Sequence, residues 1–134
     1  MRHWKLFTLG AVLVPGAAFA QDSRIAAAGT AEQDLQCAAW AAYIVGTNDD
    51  PDVKQGFGYA MTYFVGLYEG KSGKDFPGPM IATAQTLDND PSLVEALNPV
   101  CIPRTKDIGQ RLSDFGDTAT DAGSQLEPVD GDKD

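Results

Sequence analysis

The sequence predicts an all-α fold, a small irregular bundle of about four or five helices held by one disulfide. Apolar residues recur at helical spacing, and Asp-Pro pairs recur at positions typical of helix starts. No segment combines strict alternation with β-branched enrichment, so no strand is predicted. The chain has 134 residues, enough for one domain.

The N-terminus has the layout of a secretory signal peptide. A short basic start precedes an apolar run over residues 6–14, and Ala18 and Ala20 are the small residues that a signal peptidase requires. The run is too short to span a bilayer, which takes about 20 apolar residues. We therefore expect residues 1–20 to be removed and the soluble mature protein to begin at Gln21, in the periplasm.

Cleavage would change the charge and the chemistry of the chain. The only histidine, His3, would leave, and eight Lys and Arg would remain against nineteen Asp and Glu, a net charge of −11. Without histidine there is no Ser-His or Cys-His pair and no imidazole metal ligand. The negative charge repels phosphate and anionic lipid, so neither nucleic acid nor a membrane is expected as a partner. No cofactor, no metal and no enzymatic activity are predicted.

Cys37 and Cys101 are the only cysteines in the chain. In an oxidising compartment an even count favours a disulfide over free thiols. The neighbours of Cys37, among them Gln36 and Trp40, offer no base or cation that would activate a thiolate, and no further Cys or His completes a metal site. We predict a Cys37–Cys101 disulfide that contributes on the order of 4 kcal/mol, with two reactive cysteines as the alternative.

The first helix is predicted to begin at Thr30, the N-cap of a capping box with Gln33, and to end at Gly46. Its residues at helical spacing form one stripe: Cys37, Trp40, Ala41 and Ile44. The disulfide and the Trp40 ring should therefore face the same core. Core packing is the favoured role of Trp40, and a stacking platform for a ligand is the alternative.

The second helix is predicted to begin in the acidic segment 48–52. Asp50 as N-cap with Pro51 in the first turn explains these residues more simply than calcium binding, because the spacing and glycine of an EF-hand loop are absent. Its apolar stripe is Val53, Phe57, Ala60, Phe64 and Leu67. Three tyrosines lie beside this stripe, where their hydroxyls can reach water: Tyr59, Tyr63 and Tyr68.

Gly56, Gly58 and Gly66 lie inside this helix, where each costs about 1 kcal/mol relative to alanine. We favour close packing of a neighbouring segment as the reason. The alternative is a binding groove for a peptide or ligand beside the tyrosines. The residues of that groove would be Trp40, Gly56, Tyr59, Tyr63 and Gly66.

Residues 70–79 read as a loop, and their Gly-Lys-Ser lacks the upstream glycine and the strand of a P-loop. Two short helices are predicted at 80–87 and 92–97, and the second follows an Asp-Pro start and stops at Pro99. A last helix begins near Pro103, with the stripe Ile108, Leu112 and Phe115.

The domain organisation follows from these elements. Residues 21–29 are expected to form a flexible N-terminal segment and residues 30–123 the helical domain. Residues 124–134 carry few apolar side chains and are expected to form a disordered acidic tail.

The layout of the cysteines resembles that of the HdeA-type acid-stress chaperones of the periplasm. Cys37 is followed three positions later by the aromatic Trp40, and Cys101 lies near the last helix. The layout covers roughly residues 30–120 and is also similar to small uncharacterised exported helical proteins of α-proteobacteria. The resemblance implies an ATP-independent chaperone that binds unfolding clients through apolar surface exposed at low pH.

The expected function is therefore that of an exported, periplasmic protein-binding module, in the first place a chaperone-like acid-stress protein. The alternative is an immunity or inhibitor protein whose anionic surface binds a basic secreted toxin. A carboxylate enzyme is the third class and the least favoured. Capping of helix starts already accounts for the candidate acids Asp49, Asp50, Asp88 and Asp90.

Overall fold

Four helices make up the part of the chain that the structure, a computed structural model, describes: residues 22–124. They are α1 (Ala31–Thr47), α2 (Pro51–Ser72), α3 (Pro77–Asn89) and α4 (Pro91–Ser124). No strand occurs among these residues, so the all-α prediction is confirmed. None of the four helices is long and apolar enough to cross a membrane. The predicted signal peptide and the tail beyond Ser124 lie outside the described residues.

The predicted N-caps of the first two helices are present. Thr30 Oγ1 accepts a hydrogen bond from the Gln33 backbone N–H at 3.2 Å, and Asp50 Oδ1 accepts one from the Asp52 N–H at 2.9 Å. The capping box is incomplete, because the Gln33 side chain accepts from the Gly29 N–H instead of returning to Thr30. α1 also continues past Gly46, which had been predicted to end it, and stops at Thr47.

The core lies around α1, which packs against each of the other three helices. The largest fully buried side chains of the core include Trp40 of α1 and Phe64 of α2. Cys37 and Cys101, both fully buried, form a disulfide with an S–S distance of 2.04 Å and a Cα–Cα distance of 5.5 Å. The predicted disulfide is therefore confirmed, and it joins α1 to α4.

The last two predicted helices are a single helix, which corrects the expected break at Pro99 and the new start near Pro103. Each interior proline removes one hydrogen bond, at a cost of about 3 kcal/mol. The carbonyls that lose a donor belong to Glu95 and Pro99, which are exposed, so water can bond to them. On the opposite side the buried Leu97 and Cys101 hold the helix to the core. Tertiary packing therefore keeps α4 helical across both prolines.

Two further predictions on α2 are corrected. The helix extends through Gly70 to Ser72, and Gly73 ends it with a positive φ of 66°, so the loop before α3 is shorter than the predicted 70–79. Tyr68 was placed at the boundary with water but is only 4% exposed. It lies one helical turn beyond Phe64 and shares its buried side.

Residues 22–29, predicted to be a flexible segment, lie against α1 and the start of α4. The Ala26 N–H donates to Gln36 Oε1 at 2.9 Å, and the Gln36 side-chain amide donates to the Arg24 carbonyl at 2.7 Å. Arg24 also forms ion pairs with Asp22 and Asp90. These contacts hold residues 22–29 against the helices. The expected flexibility of this segment stays a prediction.

Candidate functional site

An apolar cleft opens between α2 and the C-terminal half of α4. Its volume is about 420 Å³, and its lining residues are Tyr59, Thr62, Tyr63, Ile108, Arg111 and Leu112. We call it the α2–α4 cleft. Ile108 at its floor is 8% exposed, whereas Tyr59 and Leu112 at its sides are 62% and 58% exposed. The cleft is therefore an accessible surface and not an internal void.

A few side-chain contacts join α2 to α4 beside the cleft. Tyr59 and Tyr63 line the cleft together with Leu112, and the Arg104 guanidinium lies over the neighbouring Phe64 ring.

α4 projects beyond the bundle after Ile108. Every residue from 109 to 123 is exposed. Leu112 and Phe115 nevertheless continue the apolar stripe of the buried Ile108, and Phe115 is 72% exposed. An exposed apolar stripe on a projecting helix is typical of a surface that binds another protein.

A buried carboxylate fixes the point from which α4 projects. Asp34 on α1 is fully buried and forms two ion pairs, one with Lys71 Nζ of α2 at 2.5 Å and one with the Arg104 guanidinium of α4. Lys71 Nζ also donates to the Gly29 carbonyl at 3.0 Å. Because burial of a charge is costly unless it is paired, this cluster ties three helices together at one point.

Arg104 makes further contacts at this junction. Its guanidinium lies over the Phe64 ring, 4.8 Å from the centroid, and its Nη1 lies 3.8 Å from Cys37 Sγ. The arginine thus contacts the core ring, the disulfide and the buried carboxylate together. It joins α4 to α1 and α2 one helical turn before the buried Ile108.

The structure brings together only part of the groove proposed from the sequence. Tyr59 and Tyr63 line the α2–α4 cleft. Trp40 is 1% exposed, packs edge-on against Phe57 with ring centroids 5.3 Å apart, and donates through Nε1 to Asn98 Oδ1 at 2.9 Å. It is a core residue, as favoured from the sequence, and it is absent from the lining of the cleft.

The close packing expected at the glycines of α2 is not found. A Cβ placed on Gly56, Gly58 or Gly66 meets no atom within 4 Å, apart from chain neighbours and the backbone of its own helix. Gly56 and Gly66 face open space, so no neighbouring segment requires glycine there. Neither lines the α2–α4 cleft.

The buried ion pair of Asp34 and Arg104 was not predicted from the sequence. Asp34 lies one turn before Cys37 on the same stripe, and an acid on a buried stripe was a usable signal of a paired carboxylate. The Ile108, Leu112 and Phe115 stripe was recognised, but its exposure was not, because the sequence does not show where the rest of the bundle ends.

The groups around the cleft suit binding. Tyrosine rings and aliphatic side chains provide apolar contact, and Arg111 and the hydroxyl of Thr62 can form hydrogen bonds with a bound chain. Among residues 22–124 no group of three or more His, Cys, Asp or Glu side chains is placed to hold a metal ion.

Comparison of the chain with known protein families, with curated proteins and with solved structures gave no match. The resemblance to HdeA-type chaperones therefore stays a prediction. The disulfide, and the lack of a membrane-spanning helix among the described residues, fit an exported protein.

Proposed function

We propose that this protein is an exported, periplasmic protein-binding module that holds apolar segments of unfolding clients in the α2–α4 cleft, as a chaperone-like protein of acid stress. One observation carries the proposal: the apolar stripe of α4 leaves the bundle with Leu112 58% and Phe115 72% exposed beside a cleft lined by tyrosines. Exposed apolar surface of this kind is costly in water unless it serves an interaction.

Acid is the condition under which such a module would be useful in the periplasm. Carboxyl groups titrate mostly near pH 4, so acidification removes much of the negative charge of a chain with nineteen acids. The self-repulsion and the repulsion of anionic clients fall together, while the disulfide keeps α1 and α4 joined. Apolar contact would then dominate binding.

A second candidate is an inhibitor of a basic secreted toxin. It is favoured by exposed aspartates, three at the start of α2 and three on the projecting half of α4. An inhibitor would depend on these charges and would lose its attraction to a basic partner in acid. A chaperone would retain binding there, so the pH dependence separates the two.

Suppression of client aggregation, followed together with hydrophobic-dye binding from pH 7 to about pH 2, tests the proposal. We expect protection of the client by the wild type and a loss of protection in Leu112→Ser and Phe115→Ser. Ile81→Ser is the matched control, because Ile81 on α3 is 60% exposed and lies outside the cleft. If the protein bound no dye and protected no client at any pH, the chaperone function would be ruled out.

A further inference from the structure

We infer that the α2–α4 cleft also binds a single-chain amphiphile with a carboxylate head, which places its alkyl chain in the cleft and its head at Arg111. This is a further activity of the cleft and does not depend on the binding of unfolding clients. Three features carry the inference: the arrangement of the lining side chains, the hydrogen-bond donors that they leave unused, and the volume of the cleft.

The two helices line the cleft with side chains at the same spacing. On α2 the lining residues are Tyr59, Thr62 and Tyr63, and on α4 they are Ile108, Arg111 and Leu112. Both sets lie at offsets of 0, 3 and 4, so each set occupies one face of its helix. Rings and aliphatic side chains therefore provide most of the lining, and Arg111 is its only charged residue.

Arg111 brings unused hydrogen-bond donors to this apolar surface. Within residues 22–124 its side chain makes no hydrogen bond, and its ion pair with Asp107 is long, at 4.0 Å. Both side chains of that pair are 70% exposed, so water screens it and it holds Arg111 only weakly. A guanidinium is a planar fork of N–H donors that matches a carboxylate in bidentate geometry. Arg111 can therefore pair with a carboxylate head.

The hydroxyls of the lining also favour a head group that accepts hydrogen bonds. Tyr59 Oη accepts from the Gln55 side-chain amide at 3.2 Å, which leaves its own O–H available as a donor. The Thr62 hydroxyl, by contrast, already donates to the Gly58 carbonyl at 3.0 Å. No carboxylate lines the cleft, so a cationic head would find no counter-charge there. A carboxylate head finds both a cation and an O–H donor.

The volume of the cleft suits one alkyl chain. At about 420 Å³ it lies near the lower end of the range for clefts that bind small molecules, roughly 300–1,000 Å³. A peptide backbone carries polar groups on each residue that require hydrogen bonds, and a lining of rings and aliphatic groups offers few partners for them. A client can insert side chains here, whereas a single-chain amphiphile can lie in the cleft along its whole apolar length.

The net charge of the chain makes the choice of head group a sharp test. Nineteen Asp and Glu against ten Lys and Arg attract cationic amphiphiles to the surface in general. Binding in the cleft should favour the anion instead, because Arg111 acts in direct contact, whereas the remaining surface charges act through water and salt.

The test compares decanoate with decyltrimethylammonium, which has the same chain length and the opposite charge. Isothermal titration calorimetry with the intact protein at neutral pH and moderate salt measures the affinities, and NMR shifts of the Tyr59 and Tyr63 rings locate the ligand. We expect decanoate to bind at least about fivefold more tightly, because a hydrogen bond to a charged group adds to the apolar contact. Affinity should rise from octanoate to dodecanoate, by up to about fourfold for each added methylene.

Variants separate the head from the chain. Arg111→Gln should weaken decanoate by about fivefold or more and should not weaken decyltrimethylammonium. Its control is Lys106→Gln, which removes an exposed cation of α4 outside the lining and should leave both affinities unchanged. Leu112→Ser should weaken both ligands, because the alkyl chain loses an apolar contact, and Ile81→Ser on α3 is the control that should weaken neither.

Several results would overturn the inference. Decyltrimethylammonium binding as tightly as decanoate, decanoate binding that Arg111→Gln does not weaken, or unshifted Tyr59 and Tyr63 rings would each contradict it. A wild-type dimer that Leu112→Ser dissociates would assign the cleft to a second copy of the chain. An apolar peptide with a free C-terminal carboxylate that bound more tightly than decanoate would assign it to protein chains.

The inference and the proposed function can fail separately. Client protection without decanoate binding would refute the inference while the proposed function stands. Decanoate binding that depends on Arg111, without protection of any client, would refute the proposed function alone.

Discussion

The carboxylate of Asp34 in α1 binds the guanidinium of Arg104 in α4, 70 positions further along the chain. The Asp34 side chain is fully buried, and Lys71 of α2 binds its other oxygen. One acid therefore connects α1, α2 and α4. Its removal should be more damaging than the loss of any exposed acid.

We expect Asp34→Ala to lower the free energy of unfolding by about 1–3 kcal/mol, because α1 loses its charge-assisted hydrogen bonds to Lys71 and Arg104, whose side chains are partly exposed. Lys71→Met should cost less, about 1 kcal/mol or below, since the Lys71 side chain is 39% exposed and water screens it. Urea unfolding measures both values. Asp75→Ala, at an exposed position, serves as the control and should change stability by no more than about 0.5 kcal/mol. An Asp34→Ala protein as stable as that control would show that the cluster does not hold the helices.

The exposed glycines of α2 give a prediction of the opposite sign. Gly56→Ala and Gly66→Ala should each stabilise the protein by about 0.5–1 kcal/mol, because a Cβ meets nothing within 4 Å and alanine favours the helix. Gly73→Ala is the matched control and should destabilise by about 1–2 kcal/mol, since Gly73 has a φ of 66°. Thermal unfolding of the three variants measures these changes in stability. Destabilisation by Gly56→Ala would contradict the open space found around that position.

The N-terminal segment should stay docked well into the acid range. Hydrogen bonds from the Arg24 side chain, then from its backbone N–H, lower the pKa of Asp22 from 3.8 to about 2. The pKa of Asp90 is also lowered, first by the Ser92 hydroxyl and then by Arg24. A lowered pKa in the folded state means that these contacts stabilise docking fully above about pH 4 and are lost only as the pH falls towards about 2.

Carboxyl carbon shifts followed by NMR against pH test this directly. Arg24→Ala should return the pKa of Asp22 to about 3.9, the ordinary value for aspartate. Lys74→Ala, which removes a cation that makes no contact with Asp22, should leave the titration of Asp22 as it is in the wild type. An Asp22 titration that does not respond to Arg24→Ala would mean that the ion pair does not form.

The disulfide should resist reduction until the core opens. Both cysteines are fully buried, so a thiol reductant reaches them only in an unfolded or locally open state. We expect slow reduction in buffer and fast reduction in denaturant, followed by mass analysis after alkylation. Reduction should lower stability by roughly 4 kcal/mol for a bridge between residues 64 apart. Equal reduction rates in both solvents would show that the bridge is accessible in the native protein.

Local signals in the sequence were enough for much of this fold. Thr30 and Asp50 cap the predicted helices, and the stripe through Cys37 and Trp40 faces the core, because caps and helical periodicity act over a few residues. The continuity of α4 through Pro99 and Pro103 was missed, since distant packing at Leu97 and Cys101 outweighs a local penalty. The same reason hid the role of Asp34, whose partners come from two other helices. Exposure of Leu112 depends on where the bundle ends, which is a tertiary property.

The most direct test of client binding in the α2–α4 cleft is site-specific photocrosslinking. A photoreactive side chain is placed at position 112 or, as the control, at position 81, and each protein is mixed with an unfolding client at neutral pH and in acid. Both positions are exposed and apolar, at 58% and 60%, so only their location differs. We predict crosslinks to the client from position 112 and none above background from position 81. Equal crosslinking from both positions, or none from position 112 while the client is protected, would contradict binding in the cleft.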